Sequence, residues 1–318
     1  MLPHSGPRVV GRDEHAECDN PDTVGKTRLV ASFLSEDQEF QVMQAADAKL
    51  EAERAGLALE VLYADNNAVQ QIQQLFHFVH APEAERPAAI IVETVVGEGL
   101  ERVARNATRA GIGWVLLNRN VPYLEVLRKE HPRLPISVVT TDQLEIGRIQ
   151  GRQFRALLPK GGSVLYLQGP PDTSAAKERL QGMQETIAGT SIEAKVLSGE
   201  WTEESAQKAV VAWLRLKTSE SFHPDLVGCQ NDAMAVGARK ALTAQRQEWA
   251  RLPFTGCDGL PDGGQRLVSM KQLAATIIVP SNAGPAVELV ARHSHTGEPV
   301  PPRVVLAGRS HPPEPQLG

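Results

Sequence analysis

Cysteine is scarce in this chain: three in 318 residues, at Cys18, Cys229 and Cys257. Three cannot build a disulfide framework. They are too few and too far apart for a structural zinc site. They read as small buried thiols, with a Cys229–Cys257 pair left open because both lie near the ends of apolar runs. Aromatic residues make up only 4%, so each one outside a core position invites a question. No apolar run reaches the roughly 20 residues of a membrane span. Basic residues are not in excess either: 33 Lys and Arg face 38 Asp and Glu, for a net charge of −5. That balance argues against a general nucleic-acid binder, which carries a basic face. Residues 1–26 lack an apolar stretch and hold several acids, so they do not read as a secretory signal. If the start is correct, the expected compartment is the cytoplasm.

What is present is an ordinary globular composition, 42% apolar and 22% charged, long enough for about two domains. Residues 1–26 read as a flexible lead-in. From Arg28 onward, short apolar runs alternate with amphipathic stretches of helix length. Leu29–Leu34, Leu59–Tyr63, Ala88–Val92 and Trp114–Asn118 read as strands, with helices over Phe40–Ala55, Asn66–Val79 and Glu98–Arg109. A second series reads as strands over Ile136–Thr140, Ser163–Gln168, Ala194–Leu197, Leu226–Gln230, Phe254–Asp258, Ala274–Val279 and Val304–Ala307. Helices are expected over Glu145–Leu158, Thr173–Ile187, Glu203–Lys217, Asp232–Leu242 and Ser281–Arg292. Such alternation means βαβ units and parallel sheets. About eleven strands exceed the usual width of one open sheet, so the expectation is α/β with two doubly wound sheets. The Pro-rich end, residues 309–318, reads as an unstructured tail.

Several motifs fail on inspection. Gly25-Lys26-Thr27 ends like a phosphate-binding loop, but the required glycine is Asn20 and the segment precedes its strand. Gly97-Glu98-Gly99 lacks the third glycine of a dinucleotide site, where Arg102 stands. His77 with His80, and His293 with His295, are pairs without further ligands. No nucleophile stands beside a base. Neither a metal nor a cofactor is expected.

In doubly wound sheets ligands bind beyond the carboxyl ends of the strands. Those positions hold Gln38, Phe40, Gln41, Glu93, Asn118, Arg119, Trp201, Asn231 and Asp258. Carboxylates, amides and guanidinium groups grip neighbouring hydroxyls, and aromatic rings pack on the C–H faces of a sugar or polyol. Asn and Asp at strand ends also serve as turn residues and helix caps.

Here a family resemblance emerges. Gln230–Ala238 (QNDAMAVGA) resembles the QND-x-MA-x-GA segment of periplasmic solute-binding proteins of the ribose-binding type. Thr255–Gly263 (TGCDGLPDG) is similar to their GFDG-x-PDG turn, and Ala275–Pro280 (ATIIVP) to their ATV-x-QP strand. Glu178–Gly182 resembles ER-x-x-G, and Asn118-Arg119 resembles DR. The motifs fall in family order across residues 27–308.

The resemblance implies the type I fold of periplasmic binding proteins: two α/β lobes joined by a three-strand hinge, closing on a ligand. It places residues 27–141 and 280–301 in the first lobe and 142–279 and 302–308 in the second. Hinge positions would be Thr141, Asp142, Val279 and Pro280. Phe40 and Trp201 would sandwich the ligand. Arg119 and Arg179 would donate to its oxygens, with an ion pair as the structural alternative. Asn231 and Asp258 would take hydroxyls, and Gln38 would add a contact. Four positions depart from the pattern: Asn118 replaces Asp, Val279 replaces Gln, Glu93 replaces Asn, and Gln41 replaces an aromatic. Glu93 would suit an amino- or nitrogen-containing sugar, or another polyol. The implied function is capture of a carbohydrate-like molecule and delivery to the permease of an ABC importer, by a periplasmic monomer that is not an enzyme. Two other readings stand beside it. One is a cytoplasmic ligand sensor related to lac-repressor-like effector domains, without a DNA-binding module. The other is an enzyme on the same scaffold.

Overall fold

A computed structural model describes residues 27–317. The lead-in expected over residues 1–26, Cys18 and Gly318 lie outside the described residues. The alternation read from the sequence appears as β1 (Arg28–Phe33), α1 (Glu39–Arg54), β2 (Ala58–Tyr63), α2 (Ala68–His80), β3 (Ala89–Val92), α3 (Glu101–Arg109), β4 (Gly113–Leu117), α4 (Tyr123–Glu130) and β5 (Ile136–Thr141). A second series follows: α5 (Gln143–Leu157), β6 (Gly162–Gln168), α6 (Ser174–Ile187), β7 (Ile192–Ser198), α7 (Glu203–Leu214), β8 (Leu226–Cys229), α8 (Asp232–Gln245), β9 (Phe254–Thr255) and α9 (Arg266–Ser269). The chain ends with β10 (Thr276–Ile278), α10 (Ala283–Thr296), β11 (Arg303–Leu306) and β12 (Arg309–His311).

Two parallel sheets result, ordered β11-β5-β4-β3-β1-β2 and β7-β6-β8-β9. Parallel strands covered on both faces must be apolar throughout, and β3 and β4 are buried at every position. The first sheet carries a core on each face. Trp114, Leu116 and Leu75 fill one. Phe33, Ile91 and the α10 residues Val287 and Val290 fill the other. The second sheet does the same with Trp213 and Phe254 on one face and Phe154 and Tyr166 on the other.

Three connections run between the sheets. β5 leads into α5, which packs on α6 of the second lobe. β10 leads into α10, which packs on α1 of the first. β11 leads into β12, which pairs antiparallel with β10. Strand β10 itself continues the second sheet through parallel bridges from Thr255 to Ala275 and from Asp258 to Ile278.

The sequence reading needs correction in four places. Residues 303–306 pair with β5 in the first sheet, not in the second lobe where 302–308 were expected. The Pro-rich end is not an unstructured tail: β12 pairs with β10, and Ser310 accepts a buried bond from Gln153 at 2.9 Å. The strand expected to reach Asp258 stops at Thr255, because Asp258 turns out of extended backbone at φ +115. Helix α4 was not foreseen; it is a short helix behind Pro122 that buries Tyr123, Leu124 and Leu127.

Candidate functional site

Side-chain caps start five of the helices that follow the strands, α2, α5, α6, α7 and α8. Asn67 accepts from the Val69 and Gln70 N–H groups, Asp142 from Glu145, Thr173 from Ala176, Thr202 from Ser205 and Asn231 from Met234. Each cap fixes the turn between strand end and helix, and so fixes the side chains on that turn. The turns of both sheets meet across one cleft with about 410 Å³ of empty space, its mouth included. All ten residues expected to bind ligand line it: Gln38, Phe40, Gln41, Glu93, Asn118, Arg119, Arg179, Trp201, Asn231 and Asp258, joined by Leu34 and Ala175. At the mouth the lobes touch, with the Asn120 N–H donating to Ser174 Oγ at 2.8 Å.

The first-lobe wall is built around a buried ion pair. Arg119 Nη1 lies 3.1 Å from Glu93 Oε1, with side-chain exposures of 3% and 5%. The other carboxylate oxygen of Glu93 accepts from Gln44 at 2.8 Å, Gln41 at 3.3 Å and Asn118 at 3.4 Å. Burial pulls the Arg119 pKa below its ordinary value, and the Glu93 carboxylate opposes that pull. The expectation that Glu93 is a free anion for a cationic sugar is therefore corrected: its charge is answered within the protein. Arg119 Nε is buried with no protein partner. Asn118 is equally occupied. Its Oδ1 accepts from Asn282 at 2.6 Å and from Gln143 at 3.3 Å.

The second-lobe wall centres on Arg179. Its Nε donates to Gln143 Oε1 at 2.7 Å and its Nη1 to the Gln230 carbonyl at 2.5 Å. Its guanidinium lies 5.6 Å from the Trp201 ring centroid, within cation–π range. Helices α5 and α6 place it by touching backbone to backbone: a Cβ on Gly147 would sit 2.1 Å from the Arg179 carbonyl oxygen, and one on Gly182 would sit 2.0 Å from that of Leu144. Trp201, at φ +64, packs against Gly169. Asn231 is both cap and cleft residue, since its Nδ2 also donates to the Trp201 carbonyl at 2.8 Å.

Asp258 reaches the cleft from a turn that Asp232 holds. Asp232 Oδ2 accepts from the Gly259 N–H at 2.8 Å, and Oδ1 accepts from the Thr276 hydroxyl at 2.7 Å. Burial pushes Asp232 up to about 7 against those two bonds. Burial and then the Asp232 carboxylate hold Asp258 well above the usual carboxylate range, with Arg179 opposing. The sequence reading missed Gln44, Gln143, Gln230, Asp232 and Asn282 as supports of the cleft. Gln230 and Asp232 lie inside a quoted motif, and Gln143 follows an expected hinge residue. Gln44, on a helix face, gave no signal.

At the crossovers, Thr141 ends β5 and Asp142 donates its N–H to the Leu306 carbonyl at 3.0 Å. The Val279 N–H donates to the Asp258 carbonyl at 3.1 Å, and Pro280 follows. Away from the cleft, His80 stacks on Phe76 and His293 bonds the Glu298 carbonyl. Cys229 and Cys257 are free buried thiols and form no pair.

Comparison with known proteins agrees with this architecture. The sequence profile of the family described as "Periplasmic binding protein domain" matches residues 30–294. The ribose import binding protein of Escherichia coli (strain K12) is 29% identical over 252 residues, which cover 78% of this chain and 77% of that protein. The Caulobacter myo-inositol binding protein, solved with myo-inositol, superposes with a TM-score of 0.76 at 21% identity, covering 95% of both chains. The periplasmic binding component of the arabinose ABC transporter from Shewanella sp. ANA-3 superposes with a TM-score of 0.77 at 22% identity, covering 89% of this chain and 91% of that one. At such identities the two structures establish the α/β type I fold alone. The profile match spans most of the residues that build both lobes and the cleft, and the chain belongs to the periplasmic binding protein domain family.

Proposed function

We propose that this protein is a solute-binding protein that captures a carbohydrate-like small molecule between its lobes and delivers it to the permease of an ABC importer. The observation that carries the reading is the single interlobe cleft lined by all ten expected residues. The buried Glu93–Arg119 pair lining it answers its own charge, which suits a neutral polyol. Phe40 and Trp201 offer aromatic faces from opposite lobes. Arg119, through its unpartnered Nε, and Arg179 donate to ligand oxygens. Asp258 accepts from hydroxyls, while Asn231 and Gln38 add amide contacts. Asn118, Gln41 and Glu93 act mainly by holding the first-lobe wall, because their polar atoms already have protein partners. Closure about the crossovers at Thr141–Asp142 and Val279–Pro280 removes the ligand from water and strengthens each bond.

The relatives named for import and for a periplasmic transporter component support action outside the cytoplasmic membrane with a permease as partner; a working monomer belongs to the same proposal. The test is a thermal-shift screen against pentoses, hexoses, inositols, amino sugars and sugar acids. A ligand at about 100 times its Kd adds about 2.7 kcal/mol, a rise of a few degrees for a chain this size. A hit among neutral sugars or inositols supports the reading and names the class. Silence across the panel from folded protein rejects a carbohydrate ligand. Turnover of a bound sugar would make the protein an enzyme and reject the transport role.

A further inference from the structure

We infer that Gln143 is a positioning residue that ties the two walls of the cleft together, coupling the Arg179 guanidinium of the second lobe to the Asn118 side chain of the first. Its consequence for ligand affinity rests on the solute-binding reading above; its test does not.

Gln143 opens helix α5 two residues beyond the end of β5, immediately after the chain has crossed between lobes. It is 2% exposed and does not line the cleft, so it acts through its neighbours. Each end of its amide serves a different lobe. Oε1 accepts from Arg179 Nε at 2.7 Å, and Nε2 donates to Asn118 Oδ1 at 3.3 Å. The connection extends both ways. Asn118 Nδ2 reaches Glu93, and Arg179 Nη1 reaches the Gln230 carbonyl at the end of β8. The path Glu93–Asn118–Gln143–Arg179–Gln230 thus runs from the first sheet to the second through residues that are all buried.

Burial is what gives this link its leverage. The bond between the lobes at the mouth, from Asn120 to Ser174, is exposed, and water replaces such a bond at little cost. The Gln143 bonds are dry, and one of them serves a charged donor, which makes it stronger than a neutral pair. Replacing Gln143 by an apolar residue of similar size leaves Arg179 Nε without this acceptor while the lobes are together. When the lobes part, water reaches the same groups. The penalty therefore falls on the closed arrangement, and the substitution shifts the balance toward opening.

The experiment measures interlobe distance without any sugar. Spin labels go on Val69→Cys in the first lobe and Lys208→Cys in the second, both exposed positions. Cys18→Ser removes the third cysteine, and Cys229 and Cys257 are buried. Electron–electron double resonance then gives the distance distribution. Gln143→Leu is expected to raise the ratio of long to short distances about tenfold, the weight of one buried hydrogen bond to a charged group. Gln143→Glu keeps an acceptor for Arg179 but sets an oxygen against Asn118 Oδ1, which is already facing Asn282. It is expected to shift the ratio in the same direction. Distributions for both variants that match the parent overturn the inference. If the leucine variant does not fold, the glutamate variant decides by the same criterion. Because no sugar is present, a failed ligand screen leaves this result standing, and unchanged distances leave the ligand screen standing.

Discussion

A buried carboxylate is costly to desolvate, and Glu93 offsets that cost with one guanidinium and three amides. The family resemblance leads one to expect an amide after β3 and an acid at the end of β4. Here the two have changed places, so Arg119 keeps its counter-charge but takes it from the neighbouring strand. Glu93→Gln is expected to cost about 3–5 kcal/mol, because Arg119 is left buried without a counter-charge. Adding Asn118→Asp is expected to recover more than half of that loss, which a double-mutant cycle of denaturant melts measures directly. The sequence showed each of these residues as a cleft residue. It did not show their pairing, because β3 and β4 become neighbours only in the folded sheet, and each departure was read alone. Asn231 is seen as the cap of α8, and the same side chain lines the cleft.

At the scale of elements, the contact between α5 and α6 decides where Arg179 stands. Gly147 and Gly182 let these helices meet backbone to backbone, and Gly151 makes room for the Thr186 side chain. Gly182→Ala puts a methyl 2.0 Å from the Leu144 carbonyl oxygen. The helices must part, at an expected cost of about 1–3 kcal/mol, visible as a lower melting temperature. Sugar affinity, where the screen finds a ligand, should fall along with it, since Arg179 shifts with its helix. The C-terminal strand makes a second case. Ending the chain at Gly308 removes the antiparallel partner of β10 and the Ser310 hydroxyl that Gln153 contacts. Faster hydrogen exchange at Ile277 and Ile278 is the expected result, and unchanged exchange would show that β12 is dispensable. Alternation of apolar runs and amphipathic stretches made most strands and helices legible. The tail was not, because three prolines in eight residues mask a three-residue strand whose partner lies more than 30 positions away.

For the whole molecule, the coupled acids set the sign of the pH dependence. Asp232 is pushed up to about 7 and Asp258 is raised in the same direction, from an unfolded value near 4. The folded chain therefore holds more protons than the unfolded chain between those values. Stability from these groups is present at low pH and is lost as pH rises toward 7 and beyond. Glu178 and Glu200, also raised by burial, act in the same sense. The melting temperature is expected to be higher at pH 5.5 than at pH 8, and Asp232→Asn is expected to flatten that slope. The two-lobed plan and its cleft were legible because the quoted motifs fall at strand ends. The lobe to which 302–308 belongs was not, since a four-residue strand has no sequence mark of the sheet it will join. That strand and α10 have a consequence for the order of synthesis. The four strands β6 to β9 of the second sheet come from one continuous stretch and are present once residue 255 has been made, while β10 and its partner β12 extend that sheet only at residues 276–278 and 309–311. The first sheet begins earlier but lacks its outer strand until residue 306, and the face that Ala45, Ala48 and Ala52 of α1 cover in part lacks the rest of its cover until Val287 and Val290 arrive. Domains commonly fold in the order they leave the ribosome; in this chain neither lobe is complete until the last residues emerge, the first waiting for β11 and the second for β12 beside β10.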